Sequence, residues 1–100
     1  MADCIPLSRE MLKDPIDIGV ADEPLDFPQA RAIADRRARE VGDDPMLLAW
    51  YNRGTGEFSP RVTCCRDDKP AWLTYAESRG GDLVIDINAE AYVFVYRRTL

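Results

Sequence analysis

The sequence contains no histidine. That removes the commonest general base and the commonest metal ligand of proteins. A Ser-His-Asp triad, a Cys-His pair, a histidine-containing zinc site and a His-Glu-x-x-His motif are all excluded. Positive charge is also scarce: 13 Lys and Arg against 18 Asp and Glu give a formal net charge of −5. Nucleic acid and anionic membranes both demand a basic footprint, so neither is expected as a partner. No uncharged apolar run has the length of a transmembrane helix. The opening residues Met1 to Glu10 lack the charged-then-apolar order of a signal peptide, and the expected compartment is the cytoplasm. There the three cysteines, Cys4, Cys64 and Cys65, are expected as thiols.

What is present describes a globular chain. Of 100 residues, 46% are hydrophobic and 9% aromatic, well outside the disordered range. Residues 1–14 carry no periodicity and are expected as a loose arm before a single domain over 15–100. Ile16, Ile18 and Val20 alternate with Asp17 and Gly19, the pattern of a short half-buried strand. A helix is predicted over Phe27 to Val41. Asp26 is its N-cap, Pro28 sits in its first turn, and Gly42 lies just past its end. Ala30, Ile33, Ala34, Ala38 and Val41 share one arc of that helix, a flat face suited to close packing on a sheet. Arg37 falls in the same arc, so its stem must pack while its guanidinium reaches the edge or finds an acid or an anionic ligand. Met46 to Tyr51 and Glu57 to Cys65 read as two strands about the turn Asn52 to Gly56. Met46 to Ala49 are good helix formers, so a first helical turn there is the alternative.

The last third reads by alternation as a three-stranded meander. A hairpin at Ser78-Arg-Gly-Gly81 would set Glu77 opposite Asp82 and Tyr75 opposite Val84. A turn at Ala89-Glu90 would set Ile87 opposite Tyr92 and Ile85 opposite Phe94. One face then carries Trp72, Thr74, Ala76, Leu83, Ile85, Ile87, Tyr92, Phe94 and Tyr96 and should lie under the helix. The other carries Leu73, Tyr75, Glu77, Asp82, Val84, Asp86, Val93, Val95 and Arg97. That second face is too apolar for water alone. Its cover would be the arm, the Met46–Val62 hairpin, a second subunit, or a ligand. The expected fold is α+β: one helix on a mainly antiparallel sheet of four to six strands, in the order β-α-β-β-β-β-β.

Several segments together, Asp44-Pro-Met-Leu-Leu-Ala-Trp-Tyr51, Thr55-Gly-Glu-Phe-Ser-Pro60, Cys64-Cys65, Lys69-Pro70, Tyr75 to Gly81 and Tyr92 to Tyr96, resemble a small prokaryotic family of uncharacterised proteins, a domain of unknown function. The resemblance spans roughly residues 16–97. It implies a stand-alone α+β fold and carries over no catalytic residue.

Two groups of residues have chemistry to offer. Tyr75, Glu77, Asp82, Asp86 and Arg97 on the mixed face form a candidate ligand or interface surface. Its acids would suit a hard cation or acid-dependent catalysis. Cys64 and Cys65 are candidate reactive thiols for redox or soft-metal chemistry. On a regular strand they face opposite sides, so Cys65 should react faster than Cys64. Without histidine, zinc would need two further good ligands, and no metal or cofactor is expected. The Gly80-Gly81 pair serves a turn more simply than a phosphate cradle. The reading that follows is a non-catalytic interaction or binding module, a homodimer, with the thiol and acid-dependent readings as alternatives.

Overall fold

The structure is a computed structural model that describes residues 7–21, 25–62 and 69–99. Its five strands are β1 (Ile16–Ile18), β2 (Asp43–Asn52), β3 (Glu57–Ser59), β4 (Leu83–Ile87) and β5 (Tyr92–Thr99), with helices α1 (Phe27–Val41) and α2 (Ala71–Ser78). They form one sheet in the order β1-β4-β5-β2-β3. β1 runs parallel to β4 and the other three pairings are antiparallel. The expected α+β class and mainly antiparallel sheet are found. The element order is β-α-β-β-α-β-β, with a second helix where a strand was expected.

Helix α1 follows from local signals. The Asp26 carboxylate accepts from the Gln29 amide, and the Gln29 side chain accepts from the Asp26 amide, a reciprocal capping box. Ala30, Ala34 and Ala38 are fully buried against Leu83, Ile85, Ile87, Phe94 and Tyr96. Three methyl-sized side chains let the helix axis approach the sheet closely. Phe27 closes the amino end of this layer, its ring 4.4 Å from Trp50 and 5.6 Å from Phe94. Arg37 stays at the edge, paired with Glu40 at 3.0 Å. Gly42 caps the helix in extended backbone rather than a left-handed turn. A Cβ there would stand 2.8 Å from the Arg98 side chain, so close packing explains the glycine.

The β4–β5 hairpin has the expected register, Ile85 opposite Phe94 and Ile87 opposite Tyr92. Residues 46–51 are strand throughout. The correction concerns residues 71–78, which are helix α2 and not the first strand of a meander. Val84 therefore pairs with Val95 and not with Tyr75, and Glu77 is not a cross-strand neighbour of Asp82. Pro70 starts the helix: its carbonyl accepts from the Leu73 and Thr74 amides. Gly80 and Gly81 end it. The Gly80 amide donates to Glu77 and the Gly81 amide to Ala76, with Gly80 at φ +89°. That double bond is the Schellman stop, which needs a left-handed residue. Gly81 is required for another reason, since a Cβ would lie 2.8 Å from the Ala76 carbonyl and 2.9 Å from Val95.

Helix α2 and the segment around a short 3₁₀ turn, Arg9–Met11, cover the mixed face. Leu7, Leu12, Trp72, Leu73 and Ala76 bury Val84, Val93 and Val95. Trp72 stacks on Tyr51 at 5.4 Å with the rings 8° from parallel. The chain itself thus covers this face, in part with the N-terminal arm that was one of the expected covers. The second hairpin strand is shorter than expected, ending at Ser59 rather than Cys65. Cys4, Cys64 and Cys65 lie outside the described residues.

Ala34→Phe should overpack the contact between α1 and the sheet and cost on the order of 1–3 kcal/mol. A urea midpoint unchanged by this substitution would show that the alanine stripe is not the packed side.

Candidate functional site

Two places gather the residues that the sequence singles out. The first is a cavity of about 270 Å³ on the mixed face, at the end of the sheet where β4 begins. Leu73, Val84, Val95 and Gly81 form its floor, and Lys13, Asp14, Glu77 and Asp82 its rim. Glu77 and Asp82 therefore line one cavity, though not as a cross-strand pair of a hairpin. Glu77 comes from the last turn of α2 and Asp82 from the start of β4. Each acid has a partner. Lys69 donates to both Glu77 oxygens at 2.7 and 3.0 Å. Asp82 accepts from the Arg98 amide at 2.9 Å, with the Arg98 guanidinium 3.4 Å from its other oxygen. Tyr75 does not join them; its ring lies under the Arg79 guanidinium at 4.9 Å. Arg97 is exposed, its stem passing beside Gly80.

The second place is built around Asp86, whose side chain is wholly buried. A carboxylate in that position must be matched by hydrogen bonds and opposite charge. Arg9 supplies the charge, 2.8 Å from Oδ2. The same guanidinium holds Asp17, the neighbour of Asp86 across the parallel β1–β4 pair. The Glu90 amide donates to Asp86 Oδ1 at 2.6 Å. Asn88, Ala89 and Glu90 stand at φ +55°, +54° and +65°. Three successive non-glycine residues in the left-handed region are unfavourable unless the surroundings hold them. They are held. The Asn88 side chain accepts from the Val20 amide at 2.7 Å and donates to its carbonyl at 3.0 Å. The Arg53 side chain donates to the Glu90 carbonyl at 3.1 Å and to the Leu7 carbonyl at 3.0 Å. Asp86 is therefore an anchor that joins β4, the β4–β5 turn and the N-terminal segment. It stands apart from Glu77 and Asp82.

The charges in this cluster have opposite effects. The hydrogen bond from Arg9 holds the Asp17 carboxyl below its usual range. The hydrogen bond to Asp86, burial and the Asp86 charge push Glu90 up. Sequence reasoning missed Arg9, Asp17, Glu90, Lys13, Asp14 and Lys69. A signal existed for Arg9: an aspartate inside the apolar run Leu-Val-Ile-Asp-Ile must find a cation. Among the described residues no group of three or more Asp, Glu or Cys is arranged to hold a metal ion.

The sign of the pH dependence follows from these shifts. The raised Glu90 contributes stability that is fully present below its ordinary value of 4.5. It is lost as pH rises through the folded-state value. The lowered Asp17 contributes stability present above its ordinary value of 3.8 and lost as pH falls through the folded-state value. Glu90→Gln should therefore stabilise the protein at neutral pH and flatten the loss of stability above the ordinary glutamate range, leaving the acid limb due to Asp17 in place. Asp86→Ala should destabilise by roughly 1.5–3 kcal/mol, the cost of losing hydrogen bonds to a charged acceptor. Urea midpoints across the pH range check both; a Glu90→Gln curve parallel to the parent would contradict the shared-charge account.

Comparison with known proteins adds the family and not a chemistry. A search of curated proteins gives no match. A crystal structure described as that of a novel protein from the archaeon Archeoglobus fulgidus is similar, with 29% identity and a TM-score of 0.74. The similarity covers 89% of this chain and 98% of that one. The family model described as a domain of unknown function, DUF5619, matches residues 13–96. That span runs from the cavity rim at Lys13 to Tyr96 in β5, and the chain belongs to the DUF5619 family.

Proposed function

We propose that this chain is a non-catalytic binding module of the cytoplasm that takes a small amphiphilic molecule in the cavity between α2, the Lys13–Asp14 segment and the end of the sheet. The observation that carries the reading is the composition of that cavity. Its apolar floor of Leu73, Val84 and Val95 is rimmed by one amine and three carboxylates within about 270 Å³. Small-molecule sites have this form, an apolar pocket with a few charged groups that fix orientation. The acids suit binding better than catalysis. Lys69 and Arg98 occupy Glu77 and Asp82, so neither stands as a free base. The third acid expected to work with them, Asp86, is buried under Arg9. Among the described residues no helix is long and apolar enough to cross a membrane.

Self-association, through the Val84/Val93/Val95 side of the sheet or through its outer edge, belongs to the same proposal. Val84, Val93 and Val95 are already buried within one chain. The remaining routes are the outer edges of the sheet, β1 and β3, and the exposed Met46 on β2. Edge strands offer unpaired backbone groups to a second copy.

A metabolite screen by thermal shift, followed by NMR titration of the hits, is expected to move the amides of Leu73, Glu77, Asp82, Val84 and Val95 together. Lys13→Ala or Glu77→Gln should weaken such a hit about tenfold, the worth of one charge-assisted contact. Hits that move other regions, or none at all, would overturn the reading. Light scattering is expected to give about twice the 11.3 kDa of one chain. A single-chain mass at every concentration would remove the dimer and leave the cavity reading standing.

A further inference from the structure

A second cavity, of about 180 Å³, lies on the opposite side of the sheet between α1 and the start of β2. Arg31, Asp35, Arg39, Pro45, Leu47 and Tyr96 line it. The three charged residues are spaced at i, i+4 and i+8, so one stripe of α1 faces the notch. Two arginines thus line one small polar space in a chain whose net charge is −5.

The acid among them is already engaged. The Tyr96 hydroxyl, reaching from β5, donates to Asp35 Oδ1 at 2.6 Å. Arg31 Nε stands 3.7 Å from Oδ2. Burial above all, and then the hydrogen bond to Asp35, hold the Tyr96 hydroxyl in its protonated form well above the usual tyrosine range. It therefore remains a donor to Asp35 at every working pH. Arg31 makes only this longer ion pair, and its terminal nitrogens make no hydrogen bond to a described residue. Arg39 has neither an ion pair nor a hydrogen bond among the described residues. The notch is thus lined by one matched carboxylate and by two arginines that keep donors without a partner among the described residues. Guanidinium forks match the planar or tetrahedral oxygens of carboxylates and phosphates.

We propose that this notch is a binding site for a small oxyanion, a phosphate or carboxylate group, held chiefly by Arg39 with Arg31 on the far side of Asp35. The proposal does not depend on the cavity of the mixed face and stands or falls separately. A simpler duty for Arg39 exists. It sits in the last turn of α1, where a cation offsets the negative end of the helix dipole. That duty predicts lost stability on substitution and no change in anion binding.

The test is an NMR titration of the ¹⁵N-labelled chain with inorganic phosphate and, separately, with malonate, at constant ionic strength set with sodium chloride. Saturable shifts are expected at the Leu47 and Tyr96 amides and at the Arg39 Nε resonance with at least one of the two. Which of them saturates assigns the oxyanion. Arg39→Gln should weaken binding at least tenfold and Arg31→Gln should weaken it as well. Arg36→Gln, on the same helix but outside the notch, should change it less than twofold. Shifts that do not saturate, that sodium chloride reproduces, or that Arg36→Gln weakens as much as Arg39→Gln would overturn the proposal. So would an Arg39→Gln protein that is less stable yet binds the anion unchanged.

Discussion

The central strands of this protein are apolar on both sides, and the rest of the structure answers to that constraint. All five residues of β4 are buried, and so are Val93 to Tyr96 of β5. A sheet with one wet face would alternate apolar and polar side chains. This one needs two covers. On one side, 15 residues of α1 supply a continuous flat layer roughly 22 Å long. On the other, the cover is divided between eight residues of α2, roughly 12 Å long, and the short segment around Arg9–Met11. Burying this much of each face is also what lets 100 residues form a stable core, because small domains have little apolar surface to spare.

Placing Asp86 in that buried strand has consequences at a distance. Because its side chain has no access to water, it needs a cation, and the cation comes from a segment 77 residues earlier. Arg9 in turn satisfies Asp17, and Arg53 fastens the Leu7 carbonyl. The N-terminal segment is thus held by charge as well as by Leu7 and Leu12. The same carboxylate fixes the Glu90 amide and with it a turn of three left-handed residues. Buried ion pairs seldom stabilise more than a well-packed apolar replacement would. What this one contributes is position: it specifies which segment lies on which part of the sheet.

How much of this was legible in the sequence depends on which interactions are local. The limits of α1, its Asp26 N-cap and its alanine face depend on residues close together in the chain, and all were readable. The β4–β5 register was readable too, because a short turn and strict alternation define it. Residues 71–78 were misread because eight residues with Trp, Thr and Tyr satisfy a two-residue period as well as a helical one. What decided the matter was Pro70 at the start and the glycine pair at the end. Gly80-Gly81 suited a hairpin turn, yet Gly80 is the left-handed stop of a helix and Gly81 its close approach to β5. With that one element misassigned, Glu77 and Asp82 were paired on the wrong framework, although both do line one cavity. Arg9 and Lys13 could not be placed at all, since nothing periodic surrounds them.

The contrast between the two covers also explains where the cavities lie. Under α1 the stripe of Ala30, Ala34 and Ala38 is fully buried against the sheet. The notch at Tyr96 opens beside it, where long arginines replace methyl groups and β2 breaks its register with β5 between Asp43 and Met46. On the mixed face a short helix and a narrow segment meet the sheet at different places. The larger of the two cavities lies where they come together, beside Leu73, Val84 and Val95 near the start of β4. Filling it would take one bulky side chain in place of Gly81, Val84 or Val95. At Gly81 such a side chain is barred by the Ala76 carbonyl. Val84 and Val95, cross-strand partners, are the other small side chains on its floor. The cavity is therefore a direct product of the way α2 ends: the glycine stop that lets the helix turn back onto β5 is also what leaves the space beside it open.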